Sequence, residues 1–196
     1  MIQVLEAYAV YKMGDFDKAF ERYQALAEAG NHQGMLNLGN MYAAGLGTEQ
    51  DVSQALRWYR QAAEGGDAIG LYEVGRAYDK GLGVTADTQQ ALAWYRRAAE
   101  LDNGTAQWAL GLQLYQRGEV LEGLRWIRAA APSEPAAARF LSTLAQTPQQ
   151  APQAALVARV QVALRDVDAG DARLGIVGHQ CDSGGYHIYA EVGDGP

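Results

Sequence analysis

Four residues near the C-terminal end carry reactive side chains: His179, Cys181, Asp182 and His187. Two imidazoles and a thiolate are zinc ligands, and a cysteine near a histidine begins a nucleophile–base pair. Neither set is complete. A structural zinc site takes four ligands at tighter spacing, and a thiol nucleophile needs an oxyanion site within a cleft. The segment is expected to be ordinary polar hairpin, with no catalytic residue, no metal and no cofactor.

A second chemical possibility is phosphate binding. Gly45-Leu46-Gly47 and Gly81-Leu82-Gly83 each precede a helical pattern, and a glycine-rich loop at a helix N-terminus cradles phosphate. These loops follow helices rather than strands, have no third glycine at dinucleotide spacing, and lack the Lys-Ser/Thr of a phosphate loop. Asp51 and Asp87, just beyond them, repel an anion. The loops are expected to join helices.

The elements around them explain why the loops occur twice. GLGTEQDVSQALRWYRQAAE (45–64) and GLGVTADTQQALAWYRRAAE (81–100) are offset by 36 residues, and the offset also relates Asn31, Asp67 and Asn103, Gly39, Gly75 and Gly111, Tyr42 and Tyr78, and Trp58 and Trp94. A fixed period of this length means stacked supersecondary units. Val52, Ala55, Leu56, Tyr59, Ala62 and Ala63 form the apolar stripe of an amphipathic helix, repeated by Ala91, Leu92, Tyr95, Ala98 and Ala99. Asp51 and Asp87 are placed as N-caps, with Gln54 and Gln90 three residues on as capping-box partners. Asn31, Asp67 and Asn103 cap the partner helices, so each unit is two antiparallel helices. Gly39, Gly75 and Gly111 lie inside helices, where close helix approach offsets a cost of about 1 kcal/mol. The three tryptophans Trp58, Trp94 and Trp126 are expected in the core.

The pattern LGxxYxxGLGxxxDxxQALxWYRxAAE resembles the Sel-one-like repeat (SLR) family, relatives of the tetratricopeptide repeats. Full units are expected at 31–66 and 67–102. YKMGDFDKAFERY (11–23) and YQRGEVLEGLRWI (115–127) resemble the shorter tetratricopeptide form, giving units at 1–30 and 103–131. Arg22 stands in the first unit where the others have tryptophan. Helices over 133–167 are expected to cap the array, because a solenoid end needs a more polar outer face. The expected fold is all-α: a short right-handed superhelical solenoid over 1–168 with a small β-hairpin in the tail at 169–196, strands at about 173–179 and 186–192.

The resemblance implies a concave groove that binds a protein segment. Its inward positions are Asn37, Asn40, Glu73, Arg76, Asp79, Lys80, Leu112 and Tyr115. Asn37 and Asn40 serve either to hold the backbone of an extended peptide or as a solvated helix face. Trp108, equivalent to Leu36 and Tyr72, is either core or a groove anchor. In the tail, Tyr186, His187 and Tyr189 are candidate contacts, and residues 166–196 carry six acids against one base. That segment either meets a partner or aids solubility.

The net charge of −7 disfavours nucleic acid and anionic membrane and makes a basic protein partner the easier one to accommodate. The lack of a secretory-type N-terminus and of an 18-residue apolar run, with Cys181 as sole cysteine, points to the cytoplasm. An exposed array end offers a route to a homodimer. The expected function is a non-catalytic adaptor or assembly factor. The alternative is an immunity protein that blocks a toxic effector through a tight one-to-one complex, a role that small bacterial members of the resembled family include.

Overall fold

Carboxylate and amide side chains start the helices where the sequence places them. The computed structural model describes residues 2–146, 175–180 and 186–191. Asp51 accepts hydrogen bonds from the backbone N–H groups of Ser53 and Gln54, and Asp87 from those of Gln89 and Gln90. Asn31, Asp67 and Asn103 cap the partner helices through Gly34, Ile69 and Gly70, and Ala106. The helices are α1 (Ile2–Lys12), α2 (Phe16–Glu28), α3 (His32–Ala44), α4 (Val52–Glu64), α5 (Ala68–Lys80), α6 (Thr88–Glu100), α7 (Gly104–Gln116), α8 (Val120–Ala130) and α9 (Pro135–Gln146).

The expected capping box is replaced by a different contact. The backbone N–H of Asp51 donates to the carbonyl of Tyr42, and that of Asp87 to Tyr78, at 2.9 Å each. The preceding helix of the same unit thus takes the donor that Gln54 or Gln90 would have satisfied, which ties the long loop to both of its helices. The loops themselves are interhelical spacers. Gly45 and Gly81 end α3 and α5 in the left-handed region, at φ 68° and 69°. Gly47 and Gly83 also have positive φ, and a Cβ on either would lie 2.3 Å from the carbonyl oxygen of Phe16 or 2.7 Å from that of Val52. Backbone from the preceding unit fills the space a phosphate would need, and Asp51 and Asp87 occupy the helix N-termini.

Each helix packs on its neighbours in sequence, from α1·α2 through α8·α9. The predicted stripe is buried at Ala55, Leu56, Tyr59, Ala62 and Ala63, and again at Ala91, Leu92, Tyr95, Ala98 and Ala99, whereas Val52 is exposed. A Cβ at Gly39 or Gly75 would lie 2.6 Å from the ring of Tyr59 or Tyr95. In the fourth helix pair Ile127 replaces that tyrosine, and Gly111 instead packs on Ile127 and against the carbonyl of Gly123.

The tryptophans correct the expectation. Trp58, Trp94 and Trp126 are half-buried and pack against the outside of the core. Each precedes the buried residue of its helix, Tyr59, Tyr95 or Ile127, so the 100° step between neighbours turns the indole toward the edge. The Arg97 guanidinium lies 4.5 Å over the Trp94 ring. In the first unit Arg22, which holds the tryptophan position, faces Glu6 at 3.7 Å.

The chain divides into two units, 1–146 and 147–196. The second contains antiparallel strands β1 (Gly175–Gln180) and β2 (Tyr186–Glu191), with His179 opposite His187 and Val177 opposite Tyr189. The second capping helix expected before Val167, and Cys181 and Asp182, lie outside the described residues.

Candidate protein-binding grooves

A tyrosine recurs every 36 residues on the second helices: Tyr23, Tyr59 and Tyr95. All three side chains are buried, and Gly39 and Gly75 let the rings of Tyr59 and Tyr95 lie close against the first helices of their units. The tyrosines also border the spaces between successive first helices. Tyr59 Oη donates to Asn40 Oδ1 at 2.8 Å, Tyr23 lines a slot between α1 and α3, and Tyr95 lines one between α5 and α7.

The first slot, ≈ 280 Å³, combines Tyr8 and Tyr11 of α1 and Tyr23 of α2 with Asn37, Asn40 and Met41 of α3. Asn37 Oδ1 accepts from Gln33 Nε2 at 3.3 Å, and Asn40 Oδ1 accepts from Tyr59. Both amides therefore use their acceptor within the protein, and each keeps an NH₂ group as donor.

The second slot is larger, ≈ 620 Å³. Tyr72, Arg76, Asp79 and Lys80 of α5 form one wall, and Trp108, Leu112 and Gln113 of α7 the other, with Tyr95 between them and Arg117 at the end of α7. Tyr72 stacks on Tyr95 with ring centroids 5.7 Å apart. Arg76 Nε and Nη2 both bind Glu73 Oε2, at 2.7 and 2.6 Å. Asp79 accepts from Gln113 Nε2 at 2.8 Å and faces Lys80 Nζ at 2.9 Å.

These neighbours set the protonation states. Burial, then the Glu73 carboxylate, pushes the Tyr59 phenol up to about 12. Burial followed by Glu73 raises Tyr72, and burial followed by Asp79 raises Tyr95. Burial disfavours charge on Arg76, but attraction to Glu73 outweighs it and the guanidinium is held above its usual value. The phenols are neutral donors near pH 7. Phenols, amides, an indole and paired charges can offer hydrogen bonds and apolar contact to a bound segment.

The sequence-derived positions divide between these slots. Asn37 and Asn40 line the first; Arg76, Asp79, Lys80, Leu112 and Trp108 line the second. Glu73 acts through its ion pair with Arg76. Trp108 is half-buried, neither sealed core nor fully exposed, and its ring meets Phe140 of α9 edge-on at 5.7 Å. Tyr115 also meets the Phe140 ring edge-on, with centroids 5.3 Å apart. Tyr186, His187 and Tyr189 lie on β2 in the second unit. Sequence reasoning missed Tyr8, Tyr72, Gln113 and Arg117 as lining residues, and it assigned Tyr95 to the core stripe alone. The available signal was a periodic residue with a hydroxyl group where a phenylalanine would fill the same core.

The comparisons agree with this architecture. The model of the Sel1 repeat matches residues 32–67, 68–103 and 104–131, a little over half of the chain. A search of curated proteins finds no match. Among solved structures the chain is similar to a Sel1 repeat protein from Oxalobacter formigenes, with TM-score 0.64 and 30% identity over 68% of this chain and 57% of that one. It is also similar to c5321, a protective antigen of uropathogenic Escherichia coli with an SLR fold, with TM-score 0.61 and 30% identity over 79% of this chain and 34% of the antigen. The chain thus spans less than two-thirds of either relative. Among the described residues no helix is long and apolar enough to cross a membrane. With three consecutive repeats matched and the interhelical glycines packed as the period requires, the chain belongs to the Sel1 repeat family.

Proposed function

We propose that this protein is a non-catalytic interaction module, an adaptor or assembly factor, that holds a segment of another protein in the slots between its first helices. The observation that carries the reading is the second slot, where Trp108, Leu112 and Tyr72 supply apolar contact beside Arg76, Asp79 and Gln113. Aromatic residues and arginine dominate binding energy in protein interfaces. Asn37 and Asn40 add amide donors for the backbone of an extended segment in the first slot. Membership of a repeat family of interaction scaffolds supports the same conclusion.

The test is affinity capture from the native host with the full chain and with Trp108→Ala, analysed by mass spectrometry. Partners lost with the substitution support the groove, and partners retained undamaged refute it. Replacing Tyr186, His187 and Tyr189 together by alanine in the same assay asks whether the tail makes a second contact. A lone stoichiometric partner in a tight one-to-one complex is the outcome the immunity-protein alternative requires.

A further inference from the structure

We infer that the slot between α5 and α7 is built for an acidic segment carrying a large apolar side chain; this rests on the groove reading above. The charged residues that line it are Arg76, Lys80 and Arg117 against Asp79, a local excess of two positive charges in a chain of net charge −7. Depth sorts the signs further. The Glu73 and Asp79 side chains are 17% and 18% exposed, whereas those of Arg76 and Lys80 are 41% and 66% exposed. Both Asp79 oxygens are engaged, by Gln113 and Lys80, and Glu73 is engaged by Arg76. Arg117 lies 3.7 Å from Glu119, which is outside the slot lining. Glu73 and Asp79 thus hold Arg76 and Lys80 from the more buried side and leave those two cations the more exposed members of their pairs, whereas Arg117, 39% exposed, pairs with the more exposed Glu119.

The apolar half of the recognition comes from the opposite wall. Trp108, Ala109 and Leu112 line it, and the indole is braced by Phe140. Guanidinium groups bind carboxylates through directed hydrogen bonds, and a half-buried cation loses less to solvent screening than a fully exposed one. The negative field of the whole chain works against nonspecific capture of acidic polymers, so the slot selects a ligand that places an apolar residue and its acids together.

The probes are three fluorescent decapeptides built around one phenylalanine and one leucine, flanked by glutamate and aspartate, by serine and glutamine, or by lysine. Binding is measured by anisotropy to the full chain. The acidic peptide is expected to bind at least tenfold more tightly than the other two, and to weaken several-fold when salt rises from about 50 to 500 mM. Lys80→Glu with Arg117→Glu, both on solvent-accessible side chains, is expected to abolish that preference with the circular dichroism and Tm little changed. Trp108→Ala is expected to weaken all three peptides alike. Preference for the lysine-flanked peptide, indifference to the charge reversal, or binding of none of the three overturns the assignment. If any of these occurs while native partner capture is still lost in Trp108→Ala, only the ligand chemistry falls; if capture also ignores that substitution, the groove reading falls with it.

Discussion

Individual side chains in this protein take roles that their positions in the repeat assign. Asp51 and Asp87 satisfy two N–H groups each at helix starts. Asp51→Ala and Asp87→Ala should each cost about 1 kcal/mol in chemical denaturation and leave partner capture unchanged. Loss of capture by a folded variant would instead place these loops in the binding site. Tyr59 gives a second prediction through its phenol, which rises from 10.0 to about 12 because burial and Glu73 disfavour the phenolate. Above pH 10 the unfolded chain loses this proton before the folded one does, so the folded state binds more protons and stability falls as pH rises from 10 to 12. Below pH 10 the stability is fully present. Urea midpoints at pH 9, 10 and 11 should decline less steeply in Tyr59→Phe than in the unmodified chain.

The α3–α4 and α5–α6 pairs fit together because a glycine on the first helix faces a tyrosine on the second. The Tyr59 and Tyr95 rings lie where a Cβ at Gly39 or Gly75 would sit. Gly39→Ala and Gly75→Ala raise intrinsic helix propensity by about 1 kcal/mol yet should lower stability by about 1–3 kcal/mol net, since overpacking displaces a buried ring. A thermal melt decides the sign, and a rise in Tm would mean that the helices have room to separate. Helices α3 and α5 thus lie close to Tyr59 and Tyr95, and Tyr95 also lines the slot between α5 and α7. One residue both packs and borders the slot, which is why Tyr95 reads as core from its spacing and yet lines the groove.

The assembled array places side chains from α5, α6 and α7 around one slot although they span residues 72–117. Trp108→Ala tests that assembly. Its ring is half-buried and contacts Phe140, so a modest fall in Tm is expected, with a much larger loss of partner capture. The reverse, intact capture with a large fall in Tm, would make Trp108 a packing residue that happens to border a groove.

Periodicity alone determined the helix pairs, their caps and the spacer role of the Gly-Leu-Gly loops, because 36-residue self-similarity and cap chemistry are local properties of the chain. Asn37, Asn40, Arg76, Asp79 and Trp108 were also placed from the sequence on one face, as variable positions whose neighbours repeat, and they line the two slots; their part in binding is the proposal above. Three things required the folded chain. The tryptophans moved outward because their rotation about the helix depends on which neighbour fills the core. The capping-box donor went to Tyr42 and Tyr78 because loop closure brought those carbonyls within reach. The sign of the second slot emerged only in three dimensions: net charge is a sum over the whole sequence, whereas a ligand meets the few charges that depth and pairing leave at the surface.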